Sequence, residues 1–295
     1  SLLDKVHETL EPLVAEAGAE KLMNRSGLLF TFESEDAFRG SEYAFDIRRR
    51  NGVKMDYLDG NEARQFEPSL TKNVVRAIRV PDLVHTYNPG ELVKSLARLF
   101  EARGGTLLRS EVRGFEIGPD GVNAMRTDRG KVSVEAVVIA AGVWSRKLAK
   151  DLGTNVPLEA ERGYHTMFHG SETKVNSSIL SVDRYISVTP MDYGVRVGGV
   201  AEFAPPDAPA NWRNADMVRR QGEALVPGLS GKEVTRWMGS RPSLPDSNPA
   251  IGQAPKHKNA YFAFGHDHLG LTMGSITGKL ISELVANKTP SVSLK

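Results

Sequence analysis

Apolar positions recur along this chain with helical, alternating and continuous spacings, and the changes between them mark out its elements. Between Leu2 and Asn24, Val6, Leu10, Leu13, Val14 and Leu22 fall on a roughly helical period, with Pro12 starting or kinking a segment. Gly27 to Phe32 reads as a strand, Ser41 to Arg50 as a short helix, and Val53 to Leu58 as another strand. The spacing Asp59-x-x-Glu62 predicts a capping box opening a helix that Pro68 ends. Asn88-Pro89-Gly90-Glu91 predicts a second start, with an N-cap, proline in the first turn and Glu91 reaching back. Leu92, Leu96, Leu99 and Phe100 give that helix one apolar face, and Gly104 or Gly105 ends it. A strand is expected over Thr106 to Val112, followed by a hairpin of 122–127 and 131–134 around Asp128-Arg129-Gly130.

The run Ala136 to Ala141 is continuously apolar, which predicts a strand covered on both faces, ending at Gly142 with a helix from Ser145. From Val156 to Phe203 the rhythm becomes alternating. Strands are expected at 158–168, 178–182, 185–190 and 195–203, and a proline-rich link, 204–210, leads to a helix over 211–225. The final unit is a five-residue apolar strand, Ala260 to Phe264, then a glycine-punctuated turn. A helix follows in which Leu271, Ile276, Leu280, Ile281 and Leu284 share a face. Glycines in such a turn let a ligand approach the backbone, and the free N–H groups of the first helical turn suit an electron-rich group. A turn that merely reverses the chain fits the same residues. The whole pattern predicts an α+β unit inserted into an α/β scaffold.

Composition adds mainly exclusions. With 295 residues, 40% of them hydrophobic and 25% charged, the chain can bury a core. The formal net charge of +2 marks neither nucleic acid nor a membrane surface as a partner. The absence of cysteine excludes disulfides, thiolate metal sites and a cysteine nucleophile. There is no long apolar run and no Gly-x-Ser-x-Gly elbow. His266 and His268 lack a third ligand in matching context, so no metal site is expected.

Four ordered motifs carry a resemblance. They are Val137 to Ser145, Arg196 to Glu202, Trp237-Met-Gly239-Ser-Arg241-Pro242 with Asp246 and Pro249, and Gly265-His266-x-x-x-Gly270-Leu271-Thr272-Met273. Together they resemble the FAD-dependent D-amino-acid oxidase superfamily, most closely its bacterial D-amino-acid dehydrogenases. The resemblance runs over roughly residues 55 to 287. The nucleotide-binding Gly-x-Gly-x-x-Gly that opens such proteins is not found, so the chain resembles the later part of a longer flavoprotein. The implied architecture is a partial Rossmann-like FAD-binding layer plus an antiparallel or mixed substrate-domain sheet. Residues 1–87 and 154–240 are assigned to the substrate domain, and 88–153 and 241–295 to the FAD-binding domain. FAD is the implied cofactor. Val112, Ala141, Gly142, Trp144, Gly239, Gly265, Gly270, Leu271 and Thr272 are the positions expected to meet it.

For chemistry, the resemblance selects Arg241 as a bidentate clamp on a substrate carboxylate, with pairing to Asp246 as the structural alternative. Tyr185 and His266 are the other catalytic candidates, Tyr185 from within a strand, where cross-strand packing competes with a role at the cavity. Tyr164 and His165, after Arg162-Gly163, are weaker candidates of the same kind. Asp267 and His268 stand where the family carries smaller residues. Arg48-Arg49-Arg50 fits a solvated helix end better than an anion site. The implied reaction is oxidative deamination of a D-amino acid or similar amine-bearing acid. The electron acceptor is oxygen or a membrane quinone, and the implied location is the cytoplasm or the inner membrane face. A homo-oligomer is compatible. The competing class is a non-catalytic domain or subunit completed by another chain. For an isolated fragment, weak FAD binding and self-association are expected.

Overall fold

In the computed structural model, which describes residues 2–294, helices and strands alternate along most of the chain. The first part contributes α1 (Val6–Glu16), β1 (Met23–Asn24), β2 (Leu28–Phe32), α2 (Glu35–Gly40) and α3 (Glu42–Arg50). It continues with β3 (Asp56–Asp59), α4 (Gly60–Phe66), β4 (Arg76–Val80), β5 (His85–Thr86) and α5 (Pro89–Ala102). The middle holds β6 (Val112–Gly118), β7 (Gly121–Thr127), β8 (Gly130–Ser133), β9 (Val137–Ile139) and α6 (Ser145–Asp151). Then come β10 (Glu159–His169), β11 (Ser178–Ser181), β12 (Ile186–Met191), β13 (Gly194–Phe203) and α7 (Trp212–Leu225). β14 (Glu233–Ser243), β15 (Ala250–Gln253), β16 (Ala260–Phe264) and α8 (Gly270–Val285) complete the chain.

An eight-stranded mixed sheet dominates, in the order β14-β10-β13-β12-β11-β2-β4-β3. Its one parallel pair, β11 with β2, joins the antiparallel 158–203 region to the amino-terminal strands. One face carries Phe168, Val188, Val195 and Val197 and is covered by α7, forming the largest core. Gly222 makes that contact possible: a β-carbon there would lie 2.7 Å from Val197 Cγ2. The helix thus accepts glycine's conformational cost in exchange for close packing.

A second core lies between the sheet β15-β16-β9, the antiparallel sheet β6-β7-β8 and α6, with Phe115, Ile139, Leu152, Phe262 and Phe264 at its centre. Asn259 ties the two sheets together. Its Oδ1 accepts from Val122 N at 2.9 Å, while its Nδ2 donates to the carbonyls of Val122 and Glu135 at 2.8 and 2.9 Å. The Asp59 capping box forms in full. Asn88 caps α5, although Glu91 turns forward to Arg98 rather than back to the cap.

Several expectations need correction. No strand forms over 105–111, because that stretch has no ladder partner among the described residues. Val112 instead opens β6 in the antiparallel sheet, opposite Thr127. Val138 is 42% exposed, so β9 has an open side rather than two covered faces. Tyr185 stands outside β12, in the turn before it, with φ 53° and 84% exposure. β14 and β15 did not announce themselves: Arg241-Pro242 and the glycines break the alternation that marks a strand.

Candidate active site

β14 runs along β10 in an unbroken antiparallel register that sets Arg241 opposite Glu161 and Gly239 opposite Gly163. Along β10, Tyr164, Thr166 and Phe168 turn toward α7 and its core, so Glu161, Gly163 and His165 alternate onto the opposite, more open face. Arg241 lies on that same face. Its Nη1 donates to Glu161 Oε1 at 2.7 Å and to the Val200 carbonyl at 3.3 Å. Asp246, the partner weighed from sequence, is not the one it uses. The guanidinium passes directly over Gly163, where a β-carbon would sit 2.2 Å from Nη2. One corner of the fork is therefore held and the rest lies over bare backbone, an arrangement suited to a second carboxylate.

The backbone beside Arg241 is strained. Val200 has φ 67° and Tyr185 has φ 53°, and they flank the last ladder pair of β12 and β13, Ile186 with Gly199. A β-branched residue such as Val200 at positive φ is unusual, and a second non-glycine residue at positive φ beside it marks a place where shape is set by something other than local preference. The Val200 carbonyl is the one that Arg241 holds.

Both glycine turns reach the same strand. β16 pairs in parallel with β9, Phe262 opposite Ile139, so their carboxyl ends open at one edge of the sheet. Ala141, Gly142 and Trp144 follow one end, and Gly265 to Thr272 follow the other. β14 packs against both the Gly142–Trp144 and the Asp267–Leu269 turns. Ser243 Oγ, two residues beyond Arg241, lies 3.0 Å from Asp267 Oδ1 and 3.3 Å from Glu161 Oε2, linking the second turn to the arginine's own partner. His268 Nδ1 is 3.2 Å from Asp267 Oδ2, with its ring largely exposed. His266 is buried, its Nε2 2.9 Å from Thr277 Oγ1, and burial lowers its pKa. It thereby braces the turn against Thr277 of α8.

The surface between these turns fits an extended electron-rich ligand. Gly142, at φ 55°, and Gly274 and Gly278 have open space where a side chain would stand, and Gly270 meets only His266 Cβ at 3.8 Å. Gly270, Leu271 and Thr272 are exposed, and no side chain caps the first turn of the sixteen-residue α8, leaving its N–H groups available. Trp144 is also exposed. Gly239 lies instead beneath its own neighbour, the Trp237 indole. Val112 packs at the margin of the second core. Tyr164 is directed away from the open face, hydrogen bonding Glu202 and the Asn211 N–H, and is a structural residue. Glu161, Gly163, Val200 and Ser243 were not singled out from sequence. The signals available were the adjacency of Glu161 to Arg162-Gly163 and the place of Val200 within the Arg196 to Glu202 motif.

Comparison with known proteins finds relatives that match nearly the whole chain. A D-amino-acid oxidase of Bradyrhizobium diazoefficiens is 33% identical over 286 residues, covering 96% of this chain and 68% of the relative. A D-amino acid dehydrogenase 2 of Mesorhizobium japonicum is 26% identical over 293 residues, covering 97% of this chain and 70% of that protein. Among solved structures, glycine oxidase from Bacillus cereus superposes with a TM-score of 0.88 at 22% identity, over 98% of this chain and 80% of its own, a likeness of fold alone. The family model described as FAD dependent oxidoreductase matches residues 2–284, and the chain belongs to that family.

Proposed function

We propose that the protein oxidises the Cα–N bond of an amino acid, of D configuration or a similar amine-bearing acid, by hydride transfer to FAD. The observation that carries this reading is Arg241, held by Glu161 on an open sheet face and flanked by the two turns against which β14 packs. The names of the two sequence relatives support the substrate class.

In this reading the substrate carboxylate docks on the uncommitted side of the Arg241 fork, over Gly163. Tyr185 and the Val200 backbone border the remaining space, and Glu161 with Ser243 fixes the guanidinium in place. Positioning is the protein's main contribution. FAD, when bound, supplies the two-electron acceptor: the Cα–H leaves with its bonding pair, and the neutral amine's lone pair completes the C=N bond of the imino acid. Ala141, Gly142 and the Gly265 to Thr272 turn would hold it through backbone groups.

The test is anaerobic bleaching of the flavin's visible absorption by D- and L-amino acids in FAD-loaded protein. Bleaching by D-amino acids is expected. Arg241→Lys should cost at least about 1.5 kcal/mol in kcat/KM, because a point charge does not replace a bidentate fork. Unchanged efficiency would end the assignment.

The place of β9 at the edge of its sheet supports a second reading, in which a further strand must complete this sheet before FAD is held. FAD titration of the chain separates the two. Saturable micromolar binding favours the first, and binding restored only by a partner segment favours the second.

A further inference from the structure

Arg196 differs from the other sheltered arginines of this chain. Arg162 donates to four backbone carbonyls in the 205–209 link, Arg184 pairs with Glu33 and Gln221, and Arg241 pairs with Glu161. The Arg196 side chain makes no hydrogen bond or ion pair with any described residue. It is half-buried, and burial lowers its pKa while the neighbouring Tyr193 opposes the shift. Its nitrogens still touch solvent, so a half-buried guanidinium with no protein partner presents a set of free, charged donors that an anion can take.

Its surroundings are built. Val195 and Val197 are buried beneath α7, so Arg196 between them projects from the opposite face of the sheet, which also carries Arg241. On the neighbouring strand His165 occupies that face and stacks on Trp237, the ring centroids 4.9 Å apart and the planes 18° from parallel. The charge of Arg196 bears on His165 and also on His85, which β5 brings in from the side. Burial is the main cause that holds both rings toward their neutral forms; the Arg196 charge acts the same way, while at His85 a hydrogen bond with the Pro190 backbone opposes it, so they do not add repelling cations. Tyr193, which stacks on His169 and interacts electrostatically with the guanidinium, is 41% exposed, and Trp237, stacked on His165, is 54% exposed, so aromatic surface borders this face. The Asn24 amide faces His85 Nε2, an orientation fixed by the Ser26 N–H on Asn24 Oδ1, so His85 serves as a wall.

We propose that Arg196, with His165, Trp237 and Tyr193 around it, is a second anion site that takes a small free carboxylate. It is separate from the site at Arg241. Arg196 stands opposite Met167 of β10 and Arg241 opposite Glu161, six residues along one strand, which is roughly 20 Å between their backbones. One amino acid cannot bridge that distance. Aromatic walls and a fork of donors suit a planar carboxylate, and the site stands independently of the flavoenzyme reading.

The experiment is calorimetric titration of benzoate into the Arg241→Gln protein, which silences the first site, and into the same protein carrying Arg196→Gln as well. Saturable binding with a Kd below about 1 mM is expected in the first, weakened by at least about tenfold in the second, with Arg196→Lys intermediate. Benzoate should also raise the melting temperature only where Arg196 is present. Because Arg196 supports no structural hydrogen bond, Arg196→Gln should melt no lower than its parent. Equal affinity with and without Arg196 overturns the proposal, as does an absence of saturable binding in the Arg241→Gln protein. A melting temperature clearly lowered by Arg196→Gln would assign the arginine a structural role instead.

Discussion

Arg241 Nη1 lies 2.7 Å from Glu161 Oε1, so the arginine read as the substrate clamp already holds one carboxylate before any substrate arrives. The two residues are cross-strand partners, and the pair is only partly exposed, at 28% and 18% of the side chains. In that setting Glu161 acts chiefly as a geometric stay. It takes one guanidinium nitrogen and leaves the others aimed over Gly163. Removing the stay should cost orientation more than charge. Glu161→Ala is expected to raise KM for the amino acid by about tenfold, whereas Glu161→Gln, which keeps an acceptor in place, should stay within about threefold. Steady-state kinetics of the two variants decide this, and equal KM values in both would remove the positioning role.

Gly163 offers a sharper separation of fold from function. A β-carbon there meets Arg241 Nη2 at 2.2 Å and Cζ at 2.6 Å, the far end of a flexible side chain rather than backbone. The arginine can swing aside, so Gly163→Ala should cost less than about 1 kcal/mol of stability. The clamp, however, loses its position, and kcat/KM should fall by at least about tenfold. A variant that is equally stable and fully active would show that the guanidinium does not work where it now lies.

Much of this architecture is legible in the residues themselves. The alternation of 158–203, the capping box at Asp59 and the strand-turn-helix of 260–285 each follow from local chemistry, and each forms. What escapes is what depends on distant partners. β14 carries Gly239, Arg241 and Pro242, none favourable to a strand, and becomes one because β10 supplies an eleven-residue ladder. The expected strand at 106–112 fails up to Val112 for the converse reason, since its residues suit a strand but, among the described residues, nothing pairs with 106–111. Arg241 could be chosen from its Gly-x-Arg-Pro setting. Glu161 could not, because the chain separates the two by 80 positions and only the register joins them. Tyr185 and Val200 take their backbone strain from the same sheet end, which no local pattern reveals.

The His165 ring gives a prediction in pH. Burial, and after it the charge of Arg196, lowers its pKa from 6.5 to about 4. Between those two values the unfolded chain binds a proton that the folded chain refuses. The native state is therefore favoured fully above pH 6.5 and loses this contribution as pH falls toward 4. Allowing for the ring's partial exposure, the loss should be on the order of 1–2 kcal/mol. Urea unfolding at pH 7.5 and pH 4.5 measures it. His165→Gln should show a smaller difference between the two conditions than the parent, and an identical difference would mean that His165 is not responsible.

The last prediction concerns the start of α8, where two opposite demands meet at Gly270. This residue has φ −58°, an ordinary helical value, and only His266 Cβ lies near the place where its side chain would begin. Nothing in the apoprotein therefore requires glycine. An aspartate here would gain helix propensity over glycine and place a negative charge at the positive end of a sixteen-residue helix whose first turn has no side-chain cap. Gly270→Asp should thus stabilise the apoprotein by about 0.5–1 kcal/mol. If the same bare N–H groups receive an electron-rich part of FAD, the new carboxylate occupies their field and crowds the backbone approach. Affinity for FAD should then fall by at least about tenfold in the more stable protein. Thermal melts of the apoprotein and FAD titration, made on one preparation, read the two effects together. A variant that is stabilised yet binds FAD as tightly as its parent would show that the cofactor does not lie against the start of α8.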